Sequence, residues 1–338
     1  MDPFALPDAA LGDYLARHID GFAGPLTSQK FKGGQSNPTY LLSAASGNYV
    51  LRRKPPGALL ASAHAVDREF RVLTALAGSD VPVARGLHMC SDDSVIGSMF
   101  YVMSHEPGRI FWDPSLPEIE RDRRRDFYGE IVRVMAALHQ IDVAAVGLSD
   151  FGKPGNYFAR QLKRWSEQYR LSEIGRIEPM EQLIAWLAEH VPEDDGAVAL
   201  VHGDWRIDNL IFQSDVPRVR AVVDWELATL GHPLSDLGYF CMALRLPRNP
   251  VIPGLMGLDR AALGLPEEAE IVAAYEAASG RRVENWNFML AFNFFRLAAI
   301  AQGVAKRAQQ GNASSAQAVE TGRMVPAVAA LGIEAAGR

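Results

Sequence analysis

The sequence predicts an α+β fold in two lobes, a small antiparallel-sheet lobe followed by a larger, mostly helical one. Three observations predict it. β-type runs separated by tight turns crowd residues 30–103, helix-period runs dominate after residue 108, and Pro107-Gly108 breaks the chain between them. The length agrees, because a chain of 338 residues exceeds the roughly 250–300 at which a single core tends to split. The boundary is placed near residues 104–108, giving a lobe over 1–104 and a second over 105–338.

Residues 8–21 read as a short amphipathic helix, with Leu11, Leu15 and Ile19 spaced by four. Residues 30–53 then read as three strands. Phe31 leads into the turn Gly33-Gly34-Gln35-Ser36-Asn37-Pro38, a second strand carries Thr39-Tyr40-Leu41-Leu42, and Gly47-Asn48 turns into Tyr49-Val50-Leu51-Arg52. Residues 65–77 form a helix with Val66, Phe70, Leu73 and Leu76 on one face. Two short strands, 81–84 and 100–103, complete the lobe. In the second lobe helices are predicted over 117–139, 156–168, 179–190, 267–279, 286–309 and 314–331, with a strand-rich stretch over 197–236. The first of these starts acidic, as the helix dipole favours.

Composition excludes several classes of function. Hydrophobic residues are 48% and charged residues 22%, ordinary globular values. A net charge of −6 without a basic stripe argues against nucleic acid as a partner. The run Arg121-Asp122-Arg123-Arg124-Arg125-Asp126 is interrupted by acids and reads as a solvated helix face. Cys90 and Cys241 form no C-x-x-C pair, which fits a reducing compartment. No leader pattern opens the chain, and the most apolar window, 286–305, carries Asn287, Asn293, Arg296 and Gln302, so it reads as a buried helix. The expectation is a cytoplasmic protein with a small-molecule substrate and no membrane partner. No oligomeric state is specified.

The chemistry concentrates between two apolar runs. Ala199-Leu200-Val201 precedes, and Leu210-Ile211-Phe212 follows, the polar loop His202-Gly203-Asp204-Trp205-Arg206-Ile207-Asp208-Asn209. Protein kinases place a catalytic Asp and a metal-binding Asn at the same spacing. Phosphoryl transfer needs a carboxylate facing the attacking hydroxyl and a separate oxygen ligand for Mg²⁺. Asp204 is suited to the first task and the amide oxygen of Asn209, a hard ligand, to the second. Asp224 ends the β-branched run Val219-Arg220-Ala221-Val222-Val223, so residues 210–224 read as a hairpin, turning at 213–217, that returns Asp224 beside Asn209 as a second metal ligand. Glu226 is placed to face the same metal or a water. His202 reads as support for the loop rather than as a base, and Asp236 as an anchor for backbone amides near 202–206.

The first lobe supplies what a nucleotide needs. Gly33, Gly34, Gln35, Ser36 and Asn37 lie in a turn where backbone amides can approach phosphates. Val50, Arg52 and Lys54 share one face of a strand, with Val50 against the adenine and Arg52 on the phosphates. Glu69, on the next helix, is a partner for Arg52; by itself it reads as a solvated acid beside Arg68 and Arg71.

Val201-His202-Gly203-Asp204, Asn209 and Asp224-Trp225-Glu226 resemble the aminoglycoside phosphotransferase family, the choline/aminoglycoside kinase-like fold, along nearly the whole chain. Within it, Gly34-Gln35-Ser36-Asn37-Pro38-Thr39-Tyr40, Val50-Leu51-Arg52-Arg53-Lys54-Pro55-Pro56-Gly57, Ser62-Ala63-His64-Ala65-Val66, Phe294-Phe295-Arg296 and Gln310-Gly311-Asn312-Ala313-Ser314-Ser315 are similar to the kinase-like domain found with certain acyl-CoA dehydrogenases. The resemblance implies a protein-kinase-like fold, ATP, Mg²⁺ and transfer of the γ-phosphoryl group to a hydroxyl, with adenine at a hinge formed by Met103, Ser104, His105 and Glu106. For the narrower group it implies a 4-hydroxyacyl-CoA as acceptor and a functional association with an acyl-CoA dehydrogenase. One departure stands out: most kinases have Lys where this chain has Arg52, with Lys54 two residues on. The alternatives are an aminoglycoside or amino-alcohol kinase, which needs acids such as Glu193-Asp194-Asp195 or Glu267-Glu268-Glu270 at its cleft; a catalytically inactive binding module; and a metal-dependent hydrolase using His202, Asp204, Asp224 and His232.

Overall fold

The computed structural model describes residues 4–31, 37–55, 65–214, 216–249, 253–309 and 316–337. Along the chain come α1 (Asp8–His18), β1 (Thr27–Lys30), β2 (Thr39–Ala44), β3 (Gly47–Arg53), α2 (Val66–Leu76), β4 (Gly86–Cys90) and β5 (Phe100–Ser104). Then follow α3 (Arg124–His139), α4 (Tyr157–Ser172), α5 (Glu178–Glu189), β6 (Ala199–Val201), β7 (Leu210–Phe212), β8 (Val219–Val222) and β9 (Thr229–Gly231). The chain closes with α6 (Leu234–Leu244), α7 (Glu268–Ser279), α8 (Trp286–Gln309), α9 (Ala316–Arg323) and α10 (Val325–Ala335). Two compact units result. One comprises Met1–Arg109, Val146–Leu148 and Leu210–Ala228, the other Ile110–Ala145, Ser149–Asn209 and Thr229–Arg338.

The first unit is built on an antiparallel sheet in the order β1-β2-β3-β5-β4. Alternation along the strands gives it two faces. Tyr40, Leu42, Leu51, Phe100 and Val102 pack with Leu11, Leu15 and Ile19 of α1 in one apolar cluster. The other face carries cross-strand rows. Thr39, Arg52 and Tyr101 are aligned in one, and Leu41, Val50 and Met103 in the next. The β7–β8 hairpin, with Leu210 opposite Val222, belongs to this unit. It is tied on by paired amide–carbonyl bonds between Arg109 and Phe212, both 2.8 Å, and by the Val222 amide donating to the Pro82 carbonyl. A Cβ at Gly108 would lie 2.3 Å from the Phe212 carbonyl oxygen, so only glycine admits this approach.

The second unit is mostly helical, with the short β6–β9 pair inside it. Ten of the eleven residues of α6 are buried. Of the described helices, α8 is long and apolar enough to cross a membrane, and 78% of its most apolar window is buried inside the protein.

The α+β plan expected from the sequence holds, while four local expectations need correction. The strand expected over 81–84 forms instead at Gly86–Cys90, because Pro82 has no N–H for a ladder and its carbonyl is taken by Val222. The helix expected from 117 begins at Arg124, after a single 3₁₀ turn at Arg121–Arg123; Leu116 has φ 51° and Glu120 is extended, which no helix accommodates. The last expected helix is two, interrupted at Met324 and restarted with a proline in the first turn of α10. The stretch 197–236 reads as strand-rich, yet α6 starts inside it. Burial on all sides erases the amphipathic period by which a helix is recognised.

Candidate active site

In the second unit the loop between β6 and β7 alternates in burial. Trp205, Ile207 and Asn209 point inward, and Asp204, Arg206 and Asp208 are half-exposed. Asp236, fully buried on the first turn of α6, holds its entrance. One carboxylate oxygen accepts the His202 amide at 2.7 Å, and the other accepts the Gly203 amide at 2.8 Å. His139, at the end of α3, bridges Asp236 at 3.2 Å and the Tyr275 hydroxyl at 2.8 Å. Burial pushes the Asp236 carboxyl up, but the bonds from His139 and the loop amides outweigh it and hold the group below the usual carboxylate range. Gly203 has φ 82°, a conformation glycine adopts without strain. Its carbonyl accepts a hydrogen bond from Arg296 of α8. The His202 Nδ1 accepts the Asp204 amide at 3.2 Å, and its ring meets Trp205 edge-on.

Asp204 is thus presented on a backbone held from both sides. Asn209 Nδ2 donates to the Asp204 carbonyl at 2.8 Å and to its carboxylate at 3.1 Å. That engages the amide nitrogen and leaves the amide oxygen to be offered. Tyr239 is buried on α6, and burial, followed by the charge of the Asp204 carboxylate, pushes its pKa up. Arg206, paired with Asp208 through Nε at 2.9 Å, adds a cation facing Asp204.

In the first unit a second cluster forms around Arg52, which is 7% exposed. Its Nε lies 3.0 Å from Glu69, and its Nη2 lies 2.6 Å from Asp224 and 3.5 Å from Glu226. Burial works against the guanidinium charge, but Glu69 and Asp224 raise its pKa nonetheless. Glu69 also accepts from Asn37 Nδ2 at 2.8 Å and from the Tyr101 hydroxyl at 3.1 Å. Asp224 sits at φ 66°, the left-handed region that an Asp tolerates better than most residues.

Glu69 is 1% exposed, not the solvated acid that Arg68 and Arg71 suggest; it lies on the buried face of α2 with Val66, Val72, Leu73 and Leu76. Three carboxylates share one guanidinium, and Glu69 is the most buried of them. Burial therefore outweighs Arg52, and the Glu69 carboxyl rises from 4.5 to about 7. A raised folded-state pKa means a contribution to stability that is complete below 4.5 and lost as pH rises through about 7. The stability of the wild type relative to Glu69→Gln should accordingly fall across that window and then level off, as denaturant titrations at several pH values would show. A difference independent of pH would contradict it.

The sequence-predicted residues fall into place as follows. The structure brings Asn37, Arg52, Glu69, Asp224 and Glu226 together in the first unit, and His202, Asp204, Asn209 and Asp236 in the second. Val50 is buried in the row with Leu41 and Met103. Ser104 follows Met103 at the end of β5; its hydroxyl donates to Glu106 at 2.6 Å and accepts the Arg85 amide, while His105 is half-exposed. Gly33, Gly34, Gln35 and Ser36 lie outside the described residues. Sequence reasoning misses Tyr239, Arg296, His139 and Tyr101. Two of them leave a signal: Tyr239 lies three residues after Asp236 and so shares its helix face, and Arg296 is a cation in the middle of an apolar helix whose other cations, Lys306 and Arg307, lie in its last turn.

A family model described as the phosphotransferase enzyme family matches residues 27–289. The chain belongs to that family. It is 45% identical over 330 residues to mouse acyl-CoA dehydrogenase family member 10, a match covering 97% of this chain and 31% of that protein; the chain thus spans under a third of this relative's length. A crystal structure from Ralstonia eutropha JMP134, provisionally described as an aminoglycoside phosphotransferase, is 47% identical with a TM-score of 0.90 and covers 98% of this chain and 99% of that one. A thermostable variant of the aminoglycoside phosphotransferase APH(4)-Ia, in a ternary complex with AMP-PNP and hygromycin B, shares the fold at a TM-score of 0.62 and 14% identity, over 96% of this chain and 98% of that one. This family member has the kinase-like fold of the phosphotransferases.

Proposed function

We propose that this phosphotransferase uses ATP and Mg²⁺ to phosphorylate the hydroxyl of a small molecule, and that the acceptor is a 4-hydroxyacyl-CoA. The presentation of Asp204 carries the mechanism. A half-exposed carboxylate on a clamped backbone, steadied by Asn209, is built to accept a proton from a hydroxyl. As the hydroxyl oxygen bonds to the γ-phosphorus, its proton passes to Asp204, the bond from that phosphorus to the bridging oxygen breaks, and ADP leaves. Mg²⁺ would neutralise charge on the phosphates. Asn209 and Asp224 are the residues that would hold it, an amide and a carboxylate oxygen being the kind of ligand Mg²⁺ prefers. Arg52 and Glu69 take the part of the kinase strand Lys and helix Glu, and Leu41, Val50 and Met103 form the apolar row suited to an adenine, with Ser104 and His105 continuing along the hinge. The amides of residues 33–37 would cradle the phosphates. A neighbour of the same fold holding AMP-PNP supports the nucleotide.

For the acceptor, the relative named as an acyl-CoA dehydrogenase family member supports the thioester reading and a functional association with such a dehydrogenase. The acids weigh against a polycationic aminoglycoside. Asp194 accepts the Asn156 amide, and Asp195 is taken by the Ala197 amide, His232 and Arg281. Both line a cleft of about 850 Å³ at the entrance of β6, whereas the catalytic loop leaves from the exit of that strand. Glu267 and Glu270 form the capping box of α7, and Glu268 is bound to Arg245. A hydrolase reading fares no better, since His202 faces the Asp204 amide and His232 faces Asp195.

ADP release measured across hydroxyacyl-CoAs, aminoglycosides and amino alcohols tests the proposal. Turnover confined to aminoglycosides would overturn the acyl-CoA acceptor, and no turnover with any class would favour the inactive module. Asp224→Ala should weaken Mg²⁺-dependent nucleotide binding by more than the roughly tenfold that loss of an outer-shell partner costs; unchanged calorimetric affinity would remove Asp224 from the metal site.

A further inference from the structure

We propose that Arg68 and Arg71 are positioning residues for the nucleotide: they fix the rotation and height of α2, so that Glu69 meets Arg52. The inference rests on Arg52 being the cation that takes the phosphates. Every group involved lies in the first unit. Both arginines are half-buried rather than solvated. Arg68 Nη2 donates to the Ala228 carbonyl at 3.3 Å, and Arg71 Nη2 donates to the Gly147 carbonyl at 2.7 Å. The second contact reaches Val146–Leu148, a short segment that belongs to this unit although its neighbours in sequence do not.

The helix needs such ties. Its inward face carries Val66, Val72, Leu73 and Leu76 around Glu69, and no side chain caps its first turn. Apolar burial is non-directional, so by itself it sets the depth of a helix better than its rotation. A slip of one residue turns a helix by about 100° and moves it by about 1.5 Å. Either movement would carry Glu69 off Arg52, whose Nε lies 3.0 Å away. Hydrogen bonds, by contrast, are directional. Arg68 and Arg71 are three residues apart and share one flank of α2, and two anchors along one flank resist both movements.

The anchor of Arg68 ties α2 to the residues around Asp224. Ala228 ends the turn that Asp224 begins, and the Ala228 amide closes that turn on the Trp225 carbonyl at 3.0 Å. The Trp225 indole N–H in turn donates to the Val222 carbonyl at 3.0 Å. Adjacent residues of α2 thus reach the two ends of one turn. Arg68 takes its last carbonyl, and Glu69, through Arg52, reaches the Asp224 carboxylate at its start. The helix, β3 and the turn form a closed ring of contacts, in which none can shift without disturbing the other two. Asn37 and Tyr101 hold the Glu69 carboxylate itself, while Arg68 and Arg71 hold the backbone that carries it. Catalytic groups need supports of that kind to stay within a fraction of an ångström of their working position.

Calorimetric binding of AMP-PNP with Mg²⁺ to the full chain tests this without an acceptor. Arg68→Ala should weaken binding about tenfold, the effect of one hydrogen bond from a charged group. Arg71→Ala should weaken it about threefold, because its anchor is not part of the Asp224 turn. Arg68→Lys, which keeps a donor and a charge, should recover most of the loss. Glu69→Gln should weaken binding by itself, and adding Arg68→Ala to it should weaken binding little further, since Arg68 acts through Glu69. Thr74→Gly loosens the same helix by propensity alone; it should lower Tm and leave affinity within about twofold. Wild-type affinity in Arg68→Ala, an equal loss in Thr74→Gly, or losses that multiply in the Glu69→Gln background would each overturn the proposal. Arg52→Ala separates it from the reading on which it rests. Undiminished binding in Arg52→Ala would mean that Arg52 is not the phosphate cation, and the inference falls with it. A loss in Arg52→Ala beside unchanged binding in Arg68→Ala overturns the inference alone.

Discussion

Asp204→Ala should lower the rate of ADP formation with a true acceptor by about 10²–10⁴-fold, the range by which a positioned general base accelerates proton transfer. Nucleotide affinity should hardly change. The Asp204 carboxylate makes its contact with Asn209, whereas Arg52, Glu69 and Asp224 form a cluster of their own in the first unit. Single-turnover kinetics with saturating Mg²⁺ and ATP, beside calorimetric titration of the nucleotide, separate the two quantities. Full activity in the variant would sink the assignment. Asp204→Asn should be almost as damaging, since an amide can accept a hydrogen bond from the acceptor but cannot take its proton.

Asp236→Ala should produce the largest loss of stability of any single change near the loop. It leaves the buried His202 and Gly203 amides without acceptors and His139 without its carboxylate. Breaking a buried charged contact from one side costs about 3–5 kcal/mol, which denaturant unfolding would register. Asp236→Asn is a sharper probe, because one of its two ends would turn a donor toward a donor. The sign of the pH effect follows from the lowered pKa of Asp236. A depressed carboxyl contributes stability above its ordinary pKa of about 3.9 and loses that contribution as pH falls toward the folded-state value. Acidification should therefore destabilise wild type more than Asp236→Asn. Equal acid sensitivity would mean that Asp236 is not held as a carboxylate. Activity should fall together with stability, because the same two amides fix the backbone before Asp204.

Much of the site is legible in the amino-acid sequence. Asp204 and Asn209 stand at a spacing with a chemical reason, and the β-branched run ending at Asp224 marks a hairpin. The reading of Asp236 as an amide anchor needs only an acid downstream of a glycine-containing loop, and its two bonds to residues 202 and 203 have that form. Two of the corrected expectations share a cause. Periodicity reports which residues face a core only when one face remains exposed, so it hides α6, buried all round, and Glu69, buried on an otherwise apolar face. The strand expected at 81–84 fails for a different reason: hydrophobicity favours a strand at a position where Pro82 cannot complete a ladder.

By itself the sequence determined the α+β plan, the loop that carries the chemistry and the family to which the chain belongs, because these depend on residue type and local spacing. Only the tertiary structure decided which distant groups support that loop. Asp236 and Arg296 lie 32 and 92 residues beyond Asp204, and α6 and α8 pack so that one holds the Gly203 amide and the other the Gly203 carbonyl. It also decided that Glu69 is buried beside Arg52 rather than solvated. The physical reason is range: propensity and turn chemistry act over a few residues, whereas burial and the pairing of buried charges are set by how helices far apart in sequence are packed.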